Sequence, residues 1–136
     1  MNISEVMTRH AITITPAQSL REASEMMERL DTGFLPVGEN DELVGTVTDR
    51  DIVVRGLARG HGGDTRIGEI MTSDVLYCFE DDDVDEVAKN LGQQQVRRMP
   101  VVNREKRLVG VVSLGDIATE RGEEKKAGEA LSDISE

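Results

Sequence analysis

Leu35-Pro36-Val37, followed by Leu43-Val44-Gly45-Thr46-Val47-Thr48-Asp49-Arg50-Asp51-Ile52, is the stretch that decides the fold, because the chain writes it twice. Met99-Pro100-Val101 stands 64 residues after the first tripeptide. Leu108-Val109-Gly110-Val111-Val112-Ser113 and Asp116-Ile117 stand 65 residues after their counterparts, so the intervening turn gains one residue. Upstream, Val6-Met7-Thr8 returns as Ile70-Met71-Thr72, again 64 residues on. A period of this length marks a duplicated supersecondary unit. Two such copies are expected to pack about a pseudo-twofold axis and to leave a ligand cleft between them.

Each copy reads as β-α-β-β-α, an α/β (α+β) fold. In the first, Ala11 to Thr15 alternates like a strand and is closed by Pro16. Ser19 is placed to cap a helix with apolar Leu20, Ala23, Met26, Met27 and Leu30. Phe34 to Val37 and Leu43 to Thr48 read as a hairpin around the polar turn Glu39-Asn40-Asp41-Glu42, and a helix is expected from about Asp49 to Arg59. The second copy predicts a strand at Val75 to Phe79, a helix over Val84 to Gln93, strands at Met99 to Val102 and Leu108 to Ser113, and a helix from Leu114. The organisation read is repeat 1 over residues 1–60, a linker at 61–68 that includes the flexible-looking Gly60-His61-Gly62-Gly63-Asp64, repeat 2 over 69–121, and a charged tail at 122–136. That tail either extends the last helix or is disordered.

A chain of 136 residues accommodates two small halves. Halves of this size are marginal alone, so a shared core is expected. The single cysteine, Cys78, points to a reduced, buried thiol and a cytoplasmic protein. No apolar run reaches the roughly 18 residues of a membrane span, and no secretory leader is read. The formal charge of -11 disfavours nucleic-acid backbones, although a few local arginines can still hold a small anion.

Thr48-x-x-Asp51 and Ser113-x-x-Asp116 both stand where a strand enters a helix. The pattern has two compatible readings. The hydroxyl and carboxylate can cap the helix start. The same groups can serve a ligand, with the helix start favouring an anion and the carboxylate accepting from a ribose diol.

With these residues in place, the repeat resembles the CBS domain, named after cystathionine β-synthase, and the tandem pair resembles a stand-alone Bateman module of bacterial or archaeal type. The motif runs from Phe34-Leu35-Pro36-Val37 to Gly45-Thr46-Val47-Thr48-Asp49-Arg50-Asp51, and again from Arg98-Met99-Pro100-Val101 to Ser113-Leu114-Gly115-Asp116. The resemblance spans about residues 3 to 120. It implies binding of an adenosyl compound: AMP, ADP or ATP foremost, with NAD or S-adenosylmethionine as further options. Asp51 and Asp116 would hold ribose hydroxyls, and Thr48 and Ser113 would approach phosphate or ribose. Around Asp116 the resemblance implies contacts from Thr8, His10, Ala11, Thr32, Gly33 and Leu35. Around Asp51 it implies contacts from Val75 and from the strand of Arg97, Arg98 and Met99. Thr32 and Val96 stand where many members carry Gly. Arg97 and Arg98 favour the Asp116 site for phosphate, or else pair with surface acids; Arg50 is the nearest cation in the other motif.

Other chemistry is not read. His10 and His61 lack metal-ligand spacing. Asp81-Asp82-Asp83 suits the dipole of the following helix better than a calcium loop. No catalytic set is found, so the expectation is a non-enzymatic regulatory module without a catalytic cofactor or metal. It would be a homodimer, because the helix faces carrying Leu20, Met27, Leu30, Ile52, Leu57, Val87, Leu91 and Ile117 exceed what one small sheet pair needs. It would act in trans on a protein target that the residues do not name. The alternative is a dimeric scaffold with vacant or non-adenosyl pockets.

Overall fold

The computed structural model describes residues 1–94 and 96–119. The chain forms two compact units. The first comprises Met1–His10, Leu76–Glu105 and the chain from Val109 on; the second comprises Ala11–Val75 with Lys106–Leu108.

In the second unit, α1 (Leu20–Leu30) starts at Ser19 with a reciprocal cap. Ser19 Oγ accepts from the Glu22 amide at 3.1 Å, and Glu22 Oε1 accepts from the Ser19 amide at 3.1 Å. These bonds also hold the Glu22 carboxyl below its usual pKa. The helix ends at Asp31, whose φ of 53° turns the chain out of the helical path. Strands β2 (Phe34–Glu39) and β3 (Glu42–Thr48) form the expected hairpin. Asn40 and Asp41 both take positive φ, as a two-residue turn between twisted strands requires.

The expected helix from 49 to 59 is there but not uniform. It opens as α2 (Asp49–Asp51), widens to a π turn over Ile52–Gly56 and tightens to 3-10 over Leu57–Arg59. A β-carbon on Gly56 would lie 2.6 Å from a Leu20 methyl, so the run approaches α1 to a distance that glycine alone permits.

The first unit holds a four-stranded sheet in the order β1-β6-β5-β4, made of β1 (Thr8–Arg9), β4 (Cys78–Phe79), β5 (Arg98–Val102) and β6 (Leu108–Ser113). Its long helix is α3 (Val84–Gln94), which buries Val84, Val87 and Leu91. Residues 114–119 are helical, as expected from Leu114.

Several local expectations change. Ala11 to Thr15 is not a strand; Ile14 alone pairs, with Val37, because it alone of the five is buried. Val75 to Phe79 shortens to Cys78–Phe79. The linker at 61–68 is tied down rather than loose: the Leu20 amide donates to Thr65 O, the Arg21 amide donates to Gly63 O, and Ile67 is fully buried. The tail at 122–136 lies outside the described residues.

The buried apolar residues form two clusters rather than one shared core. Each is completed by the opposite repeat. Ile3 and Met7 join the cluster of Val84, Leu91, Val101 and Ile117, whereas Ile67 and Ile70 join that of Leu20, Leu35, Val47 and Ile52. Each repeat therefore lends its leading arm to the other's core, which enlarges both.

Candidate functional site

The two hydroxyl–aspartate motifs fold alike. Thr48 Oγ1 accepts from the Asp51 amide at 3.0 Å, and Asp51 Oδ2 accepts from the Thr48 amide at 3.0 Å. Ser113 Oγ accepts from the Asp116 amide at 3.0 Å, and Asp116 Oδ2 accepts from the Ser113 amide at 3.2 Å. The capping reading is thus realised in both copies. It occupies one carboxylate oxygen and leaves Oδ1 of each half-buried aspartate to face other groups.

Behind each motif lies the start of the preceding strand. The Asp49 amide donates to Gly33 O at 3.0 Å, and the Leu114 amide donates to Arg97 O at 3.0 Å. Thr32 and Gly33 therefore sit against the Thr48–Asp51 motif, and Arg97 and Arg98 against the Ser113–Asp116 motif. Arg97 and Arg98 are exposed, and among the described residues neither guanidinium has a bonded partner.

Beside each motif runs an arm. Thr72 and Thr46 exchange backbone hydrogen bonds at 2.8 and 2.9 Å, two residues before Thr48. Thr8 pairs with Val111, two residues before Ser113. His10 follows in a left-handed turn, with φ of 56°, and is exposed. Ala11 and Val75 are half-buried in the second unit, and Arg50 is exposed there. Leu35 and Met99 are 1% and 3% exposed, so their side chains belong to the two cores. A ligand at these strands would meet their main chains.

The helix starts differ in what they offer an anion. At the first, the Asp49 carboxylate accepts from the Arg50 amide at 2.8 Å. With Gly33 O and Thr48 Oγ1 taking its neighbours, the amides of residues 49, 50 and 51 are all engaged. The free-amide reading therefore does not hold there. At the second, Leu114 and Gly115 replace Asp49 and Arg50, so no carboxylate covers the turn.

One group near the first motif was not among the expected contacts. Arg55 donates from Nη1 to Thr72 Oγ1 at 3.2 Å, and its Nε lies 3.8 Å from Asp51 Oδ1. Its i, i+4 spacing from Asp51 was a signal available in the sequence; its reach to Thr72 was not, because that contact depends on where the arm packs.

Among the described residues no group of three His, Cys, Asp or Glu side chains is placed to hold a metal, and no helix is long and apolar enough to cross a membrane. Of the eight apolar residues expected to form a partner-seeking face, Leu20, Met27, Ile52, Val87, Leu91 and Ile117 are buried in the two cores. Leu30 and Leu57 remain exposed, joined by Val53 and Val54.

Repeat, arms and motifs together define a pair of like modules, and comparison with known proteins gives the family. The CBS domain model matches residues 3–57 and 67–123, so the chain belongs to the CBS domain family and carries two copies. It is 34% identical over 134 residues to the CBS domain-containing protein YhcV of Bacillus subtilis, covering 98% of this chain and 95% of that one. Among solved structures it is similar to Hypoxic Response Protein I, crystallised with two coordinated zinc ions, at 34% identity and a TM-score of 0.80, covering 88% of this chain and 98% of that one. It is also similar to the CBS domain pair of protein MJ0100 in complex with 5'-methylthioadenosine and S-adenosyl-L-methionine, at 30% identity and a TM-score of 0.80 over 91% and 98% of the two chains.

Proposed function

We propose that this CBS pair is a cytoplasmic, non-enzymatic regulatory module that binds adenosyl ligands at its two hydroxyl–aspartate motifs. The observation that carries the reading is the paired geometry of Asp51 and Asp116. Each is fixed by a backbone amide through Oδ2 and turns Oδ1 outward, as a ribose hydroxyl requires. The MJ0100 pair, at 30% identity, binds methylthioadenosine and S-adenosylmethionine, which supports the adenosyl class.

The phosphate-bearing ligand, AMP or ATP, is assigned to the Asp116 motif. Arg97 and Arg98 lie against it, and no carboxylate covers its helix start. Thr8, His10 and Ser113 complete this contact set. Thr48, Val75 and the main chains of Thr32, Gly33 and Leu35 remain proposed contacts, as do Ala11, Arg50 and Met99. The chain acts as a homodimer through the exposed Val53, Val54 and Leu57, and passes the bound state to a protein target in trans.

Thermal unfolding tests this reading, because a ligand that binds only the folded chain raises the melting temperature. At about a millimolar of AMP, ATP, NAD or S-adenosylmethionine, at least one ligand raises it by several degrees, and Asp116→Ala or Asp51→Ala abolishes the rise. No rise with any of the four transfers the assignment to a scaffold or to a ligand of another class.

A further inference from the structure

The Asp51 motif carries a device that the Asp116 motif lacks. Arg55 sits one helical turn beyond Asp51, on the π turn over Ile52–Gly56. It is fixed at one end, donating from Nη1 to Thr72 Oγ1 at 3.2 Å, and Thr72 is itself bonded twice to Thr46. Its Nε faces Asp51 Oδ1 across 3.8 Å, too long for a direct hydrogen bond. The Asp51 side chain is 15% exposed and that of Arg55 is 41% exposed, so solvent reaches the pair.

This gap has a chemical meaning. Asp51 Oδ2 is already used by the Thr48 amide, which leaves one oxygen, an acceptor with no proton to give. A vicinal diol has two hydroxyls, each able to donate and to accept. One carboxylate oxygen satisfies one of them as donor. The other needs a donor beside it, and a guanidinium has five N–H groups, most of them still open here. We propose that Asp51 and Arg55 form a complementary acceptor–donor pair that reads the two ribose hydroxyls separately, with Arg55 as the specificity-determining residue for one of them. The residue at the same register of the second copy, 65 positions on, is Glu120, which has no N–H to donate, so the two sites differ in how they read the sugar.

The inference rests on the adenosyl reading above, and the test separates the two. The full chain is used with Asp116→Ala, which confines binding to the Asp51 site, and affinities are measured for adenosine, 2'-deoxyadenosine and 3'-deoxyadenosine. With Arg55 present, each missing hydroxyl weakens binding about tenfold, the size of a hydrogen bond to a charged group. With Arg55→Gln added, the penalty for one deoxy position falls to near onefold while the other persists. Arg55→Lys, which keeps the charge and a donor, restores part of the lost discrimination. Equal weakening of all three ligands by Arg55→Gln, with both penalties intact, overturns the assignment and leaves Arg55 as a structural clasp. Failure of adenosine to bind at all, in a chain whose melting shows it folded, overturns the adenosyl reading and this inference with it.

Discussion

The Met71 sulfur lies 2.7 Å from where a β-carbon on Gly45 would stand, and Thr72 O lies 2.9 Å from the same point. In the other copy Met7 Sδ and Thr8 O lie 2.9 and 2.6 Å from the equivalent point on Gly110. The repeated Met-Thr and the repeated Gly are therefore two halves of one contact. Each arm crosses the strand that delivers the hydroxyl–aspartate motif, at a separation only glycine allows. Gly45→Ala and Gly110→Ala are each expected to destabilise the chain by about 1–3 kcal/mol in urea unfolding. Gly110→Ala is the costlier, because the nearest atom is a backbone oxygen rather than the end of a flexible Met. Unchanged midpoints would contradict the close approach.

Gly92 presents the opposite case. It lies inside α3, and no described atom comes within 4 Å of a β-carbon built there. Alanine in a helix is favoured over glycine by up to about 1 kcal/mol. Gly92→Ala should therefore raise the unfolding midpoint, and a lower midpoint would mean that α3 is covered on that side.

The caps are testable without a ligand. Thr48→Ala and Ser113→Ala each remove the acceptor for the Asp51 or Asp116 amide. Each should cost about 1 kcal/mol, whereas Thr48→Ser should cost much less. Equal stability of the alanine variants and the parent would remove the reciprocal cap from the account.

Cys78 gives a pH signature. It is buried, and burial, helped by the charge of Asp82, pushes its thiol up from 9.0 to about 12. Between those values the unfolded chain has lost the proton that the folded chain keeps. Stability is therefore full below pH 9 and falls as pH rises towards 12, by at most roughly 4 kcal/mol. Cys78→Val should flatten that fall relative to the parent. At pH 8 the native thiol should resist alkylation and react on unfolding; rapid native labelling would contradict the buried placement.

What the sequence disclosed follows from the range of the forces involved. Ser19 with Glu22 fixed the start of α1, and Asn40-Asp41 fixed the hairpin, because a cap and a turn are each decided within four residues. Val84 to Gln93 was placed to within one residue of the observed helix by its apolar period alone. Ala11 to Thr15 misled because alternation describes burial of one face, and here Ile14 alone meets a partner. The arms were legible as a repeat but not as an exchange, since nothing in Val6-Met7-Thr8 states which strand it will cross. The motif residues Thr48, Asp51, Ser113 and Asp116 were found from spacing. The closing of the first helix start by the Asp49 carboxylate, and the reach of Arg55 to Thr72, depend on packing between distant segments and could not be read there.

The central claim is that Asp51 and Asp116 each hold an adenosyl ligand, and binding stoichiometry by calorimetry tests it most directly. With a saturating ligand chosen from the thermal panel, the parent chain should bind two per chain, and Asp51→Ala and Asp116→Ala should each bind one. A parent chain that binds none, or variants that both keep the parent's stoichiometry, would contradict it.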